Sequence, residues 1–318
     1  MKKLVVALLT VTLIAAVILT GCTAAKTNLI MATGGTSGTY YSFGGAICQI
    51  YNTKLDNMNV TAQVTGASKE NIRLVGSKEA ELAIVQNDVM DYAYNGIELF
   101  NGEKVQNIRT VAVLYPEIIQ IVVSPESGIN SIADMKGKRI SVGDAGSGVE
   151  ANARQILEAY GLTFDDIKVS NLSFSESASA FKDKQIDGFF VTAGIPNPAI
   201  QEITALSSIK ILSIDDEAAD KLISKYPFYT KYTITQDTYK GMEGDAGTLA
   251  VMATLIAGNE VSEDVIYKLT KALFDNQSEL GAAHAKGKEL SLEGAVQGAS
   301  VPFHPGAEKY YKEQGILK

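Results

Sequence analysis

The sequence is poor in the residues that carry most catalytic and metal chemistry. Its 318 residues include no tryptophan, two cysteines and two histidines. His284 and His304 lie far along the chain from Cys22 and Cys48, so the spacing of a zinc site is missing. No G-x-S-x-G segment marks a nucleophilic serine. We therefore expect no metal, no cofactor and no catalytic residue.

Clusters of basic residues are also missing. Lys and Arg number 28 against 36 Asp and Glu, which gives a formal net charge of −8 at pH 7. A protein that follows a nucleic-acid backbone needs clustered Lys and Arg to neutralise the phosphates. The charge balance therefore argues against nucleic acid as a partner. With 46% hydrophobic residues, the chain can bury one large core or two smaller ones.

One long apolar run occurs, in the first segment, MKKLVVALLTVTLIAAVILTGC. The run covers roughly 16 residues, which is shorter than the ~20 that a membrane-spanning helix needs, and two lysines precede it as in an export signal. Its end resembles the lipobox of bacterial lipoproteins. That resemblance implies a signal peptide at 1–21, a lipid on the sulfur of Cys22 and a lipidated tether at 22–27. The alternative is a cleaved signal with a coincidental cysteine.

Cysteine use after this segment is limited to one residue. Cys48 lies in GGAICQIYN among apolar neighbours at helical spacing. A chain cleaved before Cys22 and lipidated there has no second free thiol, so no internal disulfide is possible. We expect Cys48 to be a buried, unreactive thiol.

From residue 28 the sequence alternates strand and helix patterns, and the same order recurs in the middle of the chain. NLIMAT, NVTAQVT and AELAIVQ are the predicted strands of the first repeat, and KRISVGD, DIKVSNLSF and IDGFFVT are those of the second. The intervening predicted helices cover residues 40–54, 69–79, 150–160 and 177–184. Such alternation builds a parallel sheet covered by helices. The sequence thus predicts two similar α/β lobes.

Two extended segments are expected to connect the lobes. IRTVAVLYPEIIQIVVSPESGI contains two β-rich runs on either side of Tyr115-Pro116-Glu117, and TLAVMATLIAGNE is a predicted strand that returns to the first lobe. Extended segments that leave one sheet and enter another can act as hinges. We predict lobe 1 at 28–117 and 238–318 and lobe 2 at 118–237, with a ligand cleft between them.

Glycine and hydroxyl residues are concentrated where the predicted strands end. TGGTSGTYYSFGG follows the first strand, and GSG takes the equivalent place in the second repeat. The free N–H groups and the dipole at a helix start attract anions, and ligands bind at the carboxyl ends of strands in open α/β sheets. The predicted ligand-binding residues are Gly35, Thr36, Ser37, Gly38, Thr39, Tyr40, Ser68, Gln86, Asp88, Tyr115, Ser147, Gly148, Thr192, Ala193 and Gly194.

Several of these positions have a purely structural alternative. A Ser, Thr or Asp at a helix start can simply cap the helix, and Asp88 precedes the helical segment VMDYAYNG. Arg154 either reaches the ligand or forms an ion pair on the surface. Tyr229 and Tyr232 either face the cleft or pack in the core.

The second loop also has the form of a dinucleotide fingerprint. Residues 146–151 read G-x-G-x-x-A after a predicted strand and before a predicted helix. Asp165 and Asp166, about 20 residues later, precede the next strand instead of ending it, so they are poorly placed to bind a ribose. We therefore interpret the motif as the anion loop of the second lobe.

Five segments together resemble the TAXI family of solute receptors of TRAP transporters. They are ATGGTSGTYYSFGGAI, ELAIVQNDVMDYAYNG, GSGVEANARQILEAYG, IPNPAI and VPFHPGAEKYYKEQG, and they follow in the right order over essentially the whole chain after the signal. The resemblance implies a periplasmic-binding-protein fold of type II, with two α/β lobes joined by hinge strands. It also implies a small organic anion as ligand, namely glutamate, glutamine or a related dicarboxylate such as 2-oxoglutarate.

The same resemblance implies delivery of the ligand to the membrane permease subunits of a sodium-driven TRAP transporter. We expect an exported monomer that is not an enzyme, anchored by lipid to the outer face of the cell membrane or free in the periplasm. An exported enzyme that acts on a small carboxylic acid is the alternative, and it would need a general base in the cleft. A purely adhesive lipoprotein is disfavoured, since adhesion needs no paired anion loops.

Overall fold

A computed structural model describes residues 26–318. The predicted signal peptide at 1–21 and the predicted lipidation site Cys22 lie outside these residues, and so do residues 22–25 of the predicted tether. Within residues 26–318, no helix is both long and apolar enough to cross a membrane.

The strands form two similar parallel units. In the first unit β1 lies between β2 and β3 and is parallel to both, and in the second unit β5 lies between β6 and β7 in the same way. The internal repeat of the sequence therefore corresponds to a repeated structural unit. The strands are β1 (Thr27–Ala32), β2 (Met58–Gln63), β3 (Leu82–Gln86), β4 (Ile108–Val123), β5 (Arg139–Ser141), β6 (Lys168–Ser170), β7 (Gly188–Ala193), β8 (Lys210–Leu212), β9 (Thr230–Ile234) and β10 (Ala246–Gly258).

Helices cover these strands. They are α1 (Thr39–Lys54), α2 (Ser68–Gly76), α3 (Asn87–Asn95), α4 (Gly148–Ala159), α5 (Phe174–Lys182), α6 (Pro198–Leu206), α7 (Asp216–Lys225), α8 (Glu263–Asp275), α9 (Gln277–Ala283) and α10 (Pro305–Glu313). Helix α5 begins earlier than the predicted 177–184, because Ser173 and Glu176 form a capping box that fixes its start. The first lobe comprises β1–β3 with α1–α3 and α8–α10, and the second comprises β5–β9 with α4–α7.

Strands β4 and β10 run through both lobes. The first part of β4 and the last part of β10 pair antiparallel and continue the sheet of the first lobe through β3. The second part of β4 pairs with β7, and the first part of β10 pairs with β9. A single 10-stranded sheet results, with β10 and β4 at its centre. The two β-rich runs of the sequence are thus one continuous strand.

The ladder of β4 and β10 is irregular near its middle. Tyr115 and Pro116 face Ala253 and Met252, and the register shifts between Ala253 and Thr254. Proline supplies no N–H to a ladder, and a register shift bends a strand. The predicted hinge position therefore coincides with a weakened point in the only ladder that crosses between the lobes in the described chain. The predicted lobe limits, 28–117 with 238–318 and 118–237, stay predictions.

Helix α1 packs its apolar face onto the first lobe's sheet. Phe43, Ile47 and Tyr51 recur at a spacing of four residues and are fully buried. Gly44 allows the close approach, since a Cβ there would lie 2.8 Å from Cγ2 of Thr33. Cys48 lies on the same face with 5% of its surface exposed, which confirms the expected burial. Burial raises the pKa of its thiol to about 12.

Because only a thiolate is a good nucleophile, Cys48 should not react with iodoacetamide at pH 8 in the folded protein. A chain that begins after Cys22 should be labelled on Cys48 only when denaturant unfolds it. Mass spectrometry of the native and denatured samples measures this. Complete labelling of the native protein within minutes would contradict the burial of the thiol.

Candidate ligand-binding site

A cavity of about 50 Å³ lies between the two lobes. Because one water needs roughly 10–15 Å³ of such volume, the cavity has room for several waters or a small organic molecule. Its walls come from the loops after β1, β2, β5 and β6 and from the ends of β3 and β7, which are the carboxyl ends of the parallel strands in both lobes. This is the edge at which open α/β sheets bind ligands.

Most of the predicted ligand-binding residues line this cavity. Ten of them do so: Gly35, Ser37, Gly38, Thr39, Tyr40, Gln86, Ser147, Gly148, Thr192 and Ala193. Their contact with a ligand stays a prediction. The sequence reasoning did not single out seven further lining residues: Gly34, Ala67, Glu117, Asp144, Val149, Ser173 and Phe174.

The other five predicted residues lie beside the cavity and do not line it. Thr36 is exposed, and the hydroxyl of Ser68 accepts a hydrogen bond from the N–H of Gln86 at 3.1 Å. Tyr115 is fully buried against Phe43, with ring centroids 5.5 Å apart. Asp88 accepts a hydrogen bond from Asn152, and Gly194 packs against Lys286.

Four helices begin at the cavity wall. Helices α1 and α2 start after Gly38 and Ala67, neither of which caps its helix with a side chain. Helices α4 and α5 start after Ser147 and Ser173, and each serine hydroxyl accepts a hydrogen bond from an N–H of its helix. Ser147 therefore caps α4, which is the structural alternative to a ligand-binding role. The starts of α1 and α2 keep N–H groups that can bind an anion.

A buried carboxyl group forms part of the same wall. Glu117 is 2% exposed, and its Oε2 accepts a hydrogen bond from the hydroxyl of Tyr40 at 2.6 Å. Burial raises the pKa of Glu117 well above its usual range, although the Tyr40 hydrogen bond acts in the opposite direction. Burial also raises the pKa of Asp144, which lies at the second lobe's side of the cavity.

Lys286, whose charge lowers the pKa of Glu117, is already paired. Lys286 is 6% exposed, and its Nζ lies 2.7 Å from Oε1 of Glu289. Its side chain packs against Gly194, since a Cβ added to this glycine would lie 2.5 Å from Cε of the lysine. Among the described residues, no lysine or arginine lines the cavity.

A network of side-chain hydrogen bonds joins the lobes beside the cavity. Asn152 of α4 accepts from Gln86 at 2.9 Å and donates to Asp88 at 3.0 Å, both in the first lobe. It also accepts from Thr192 of its own lobe at 3.0 Å. Gly148 makes room for this contact, since a Cβ there would lie 2.0 Å from Oε1 of Gln86. Asn152 was not predicted, although it lies one turn after the GSG loop.

None of the three residues with open roles lines the cavity. The guanidinium of Arg154 stacks over the ring of Phe164 at 4.0 Å and lies 3.6 Å from Glu150. The hydroxyl of Tyr229 accepts a hydrogen bond from Asn152 at 2.9 Å, so it supports the network between the lobes. Tyr232 lies on β9, packs partly buried against the apolar core of the second lobe and does not line the cavity.

Neither histidine is placed as a general base in the cavity. His304 is 1% exposed and caps α10, and its Nε2 bonds to the carbonyl of Val261 at 2.9 Å. His284 contacts Ser42 at 3.1 Å through Nε2, but its Nδ1 accepts from the N–H of Lys286 at 3.2 Å. Its Nε2 must therefore carry the proton of a neutral ring and cannot take one from Ser42. The described residues contain no group of three His, Cys, Asp or Glu side chains that could hold a metal.

Comparison with protein families covers nearly the whole described chain. Residues 31–315 match the NMT1-like family. The chain belongs to this family.

One curated relative of this NMT1-like protein is a protein of Brucella abortus strain 2308 that is named as a binding protein. The two are 40% identical over 78 residues, which are 24% of this chain and 23% of the relative. The chain thus matches less than a quarter of that protein's length.

Solved structures share the fold. The alkanesulfonate-binding protein SsuA of Xanthomonas axonopodis pv. citri, bound to MOPS, gives a TM-score of 0.53 at 15% identity over 91% of this chain and 84% of its own. An L-cystine ABC transporter protein of Listeria monocytogenes gives 0.51 at 13% identity over 82% and 94%. At such identities the likeness concerns the fold alone. The NMT1-like protein has the predicted periplasmic-binding-protein fold of type II, with two α/β lobes.

Asp88 should make the stability of the protein depend on pH. Burial raises its pKa from 3.8 to about 6, and the hydrogen bonds from Val89, Asn152 and Gln86 offset only part of that effect. A carboxyl group with a raised pKa in the folded state stabilises below its unfolded pKa and loses that contribution as pH rises through about 6. The loss amounts to roughly 2–3 kcal/mol.

The variant Asp88→Asn removes this titration. Between pH 4 and pH 7, the free energy of unfolding of the variant should rise by roughly 2–3 kcal/mol relative to that of wild type, because only wild type loses the Asp88 contribution over this range. Urea unfolding of both proteins across this range measures the difference. A difference that does not change with pH would contradict the raised pKa of Asp88.

Proposed function

We propose that this NMT1-like protein is an extracytoplasmic solute-binding lipoprotein that captures a small organic anion and delivers it to a TRAP-type secondary transporter. The ligand class is glutamate, glutamine or a related dicarboxylate such as 2-oxoglutarate. The observation that carries the proposal is the convergence of the α1, α2, α4 and α5 starts on one cavity between two lobes.

The anion-binding part of the proposal rests on backbone groups. The starts of α1 and α2 lie at the cavity wall with their first N–H groups uncapped by side chains, and the side chains of Ser37 and Thr39 add hydroxyl donors beside them. Such groups suit a carboxylate. A carboxylate held this way needs no arginine or lysine, which agrees with the composition of the wall.

Capture by closure is supported by the network between the lobes. Asn152 can bond to Gln86 and Asp88 only while the lobes are in contact. A ligand that bridges the loops of both lobes stabilises that closed arrangement over an open one. The weakened ladder around Pro116 supplies a place where the strands can bend.

The transporter class and the location rest on the sequence. The five segments resemble TAXI receptors of TRAP transporters, whereas the compared L-cystine protein of Listeria monocytogenes belongs to an ABC transporter. The first 22 residues support export and a lipid anchor at Cys22. Co-expression with candidate TRAP permease subunits and uptake of the bound solute tests the partner.

An exported enzyme is the second candidate, because Glu117 and Tyr40 offer an acid–base pair inside the cavity. Incubation with the bound compound followed by mass spectrometry separates the two functions. A receptor returns the compound unchanged, while an enzyme converts it over many turnovers.

A carboxylate should raise the melting temperature of a chain that begins after Cys22. A ligand that binds only the folded state adds RT ln(1 + [L]/Kd) to its stability, about 2.7 kcal/mol at a hundredfold excess over Kd. Thermal melts with a panel of amino acids, oxo acids and dicarboxylates measure the effect. A panel that leaves the melting curve unchanged would count against a carboxylate receptor.

Ligand should also compact the protein, and Gly148→Val should weaken this effect. The added side chain would occupy the space of the Gln86 amide and separate it from Asn152. We expect a smaller radius of gyration with ligand for wild type and a reduced change, with weaker affinity, for the variant. Small-angle scattering with and without the carboxylate tests this. Arg154→Ala is the control, since Arg154 lies outside the cavity.

A further inference from the structure

The cavity contains two regions of opposite electrostatic character. The starts of α1 and α2 present N–H groups, which favour negative charge. Glu117 and Asp144 present carboxyl groups, which favour positive charge. A ligand that is only anionic satisfies the first region and leaves the second unpaired.

Glu117 is poorly satisfied by the protein itself. Within residues 26–318, the Tyr40 hydroxyl at 2.6 Å is the one hydrogen-bond donor to its carboxyl group. An ionised carboxylate can accept about four hydrogen bonds, and burial of its charge is costly without a partner. Lys286 does not serve, since Glu289 binds its ammonium at 2.7 Å and the lysine does not line the cavity.

We propose that the solute carries a protonated amine as well as a carboxylate, and that Glu117 binds the amine while the starts of α1 and α2 bind the carboxylate. This inference rests on the proposed function and narrows its ligand class to amino acids. The hydroxyl of Tyr40 holds the Glu117 carboxylate in place from one side and leaves the other oxygen for the ligand.

Matched acids test the role of the amine. An α-keto acid has the same skeleton as its amino acid but no ammonium group. It therefore leaves the negative charge of Glu117 without a partner in the cavity. Three pairs suffice: glutamate with 2-oxoglutarate, alanine with pyruvate, and leucine with its keto acid. In every pair that binds wild type, calorimetric titration should give a Kd about ten- to hundredfold lower for the amino acid, the range expected for one charge-assisted hydrogen bond.

The outcomes separate this inference from the proposed function. Equal or tighter binding of the keto acid would overturn the amine inference and leave a carboxylate receptor. Failure of all six compounds, together with failure of the wider carboxylate panel, would overturn both.

The variant Glu117→Gln tests the residue. It keeps the shape of the side chain and an acceptor for Tyr40 but removes the negative charge. We expect the Kd for the amino acid to rise ten- to hundredfold and the preference over the keto acid to vanish. Glu202→Gln is the matched control, because Glu202 is exposed and pairs with Lys182 outside the cavity. An unchanged preference in a folded Glu117→Gln protein would overturn the assignment.

The pH dependence of binding gives a second readout. Burial raises the pKa of Glu117, as does the nearby charge of Asp88, while the Tyr40 hydrogen bond and Lys286 lower it. Because an ammonium pairs with the ionised carboxylate, binding of the amino acid should release a proton and tighten as pH rises towards that pKa. A protonated Glu117 that donates to a ligand carboxylate would instead bind more weakly as pH rises. Titration in buffers of different ionisation enthalpy detects the proton, and Glu117→Gln should abolish its release.

Discussion

The antiparallel pairing of β4 with β10 is the contact on which the rest of the structure depends. Both lobes are built on the ends of this one ladder, which continues into β3 on one side and into β7 on the other. A single ladder of two strands positions the lobes and still permits them to rotate, because Pro116 and the register shift interrupt its regular hydrogen bonding. The cavity exists because the ladder brings the strand ends of both lobes to one place.

The chemistry of the cavity follows from that convergence. Parallel strands end together, and the helices that follow them begin together, so four helix N-termini surround one small volume. The N–H groups at the starts of α1 and α2 supply positive potential without basic side chains. The acidic members of the wall, Glu117 and Asp144, add the opposite sign within the same volume. This pairing of regions is what a receptor for a small zwitterionic solute would need.

Buried acids also connect binding to stability. Asp88 joins the lobes through Asn152, and burial raises its pKa to about 6. Glu117 faces the cavity with a raised pKa for the same reason. Both groups oppose folding when they are ionised and unpaired. The presence of a carboxyl group at these two buried positions is therefore better explained by function than by stability.

The sequence alone determined the local structure, because the signals for it are local. Hydrophobic periodicity predicted the alternation of strands and helices. The glycine loops and the ends of the third strands together predicted ten of the residues that line the cavity, including Ser37 and Gln86. Tertiary structure alone decided the roles of Glu117, Asn152 and Lys286, which are distant along the chain and have no local pattern. Glu117 lies two residues after Tyr115 in a strand of mostly apolar residues, and only the packing of α1 brings Tyr40 to its carboxyl group. The contact of Asn152 with Gln86 arises only when the two lobes meet, so no periodicity in either segment could encode it.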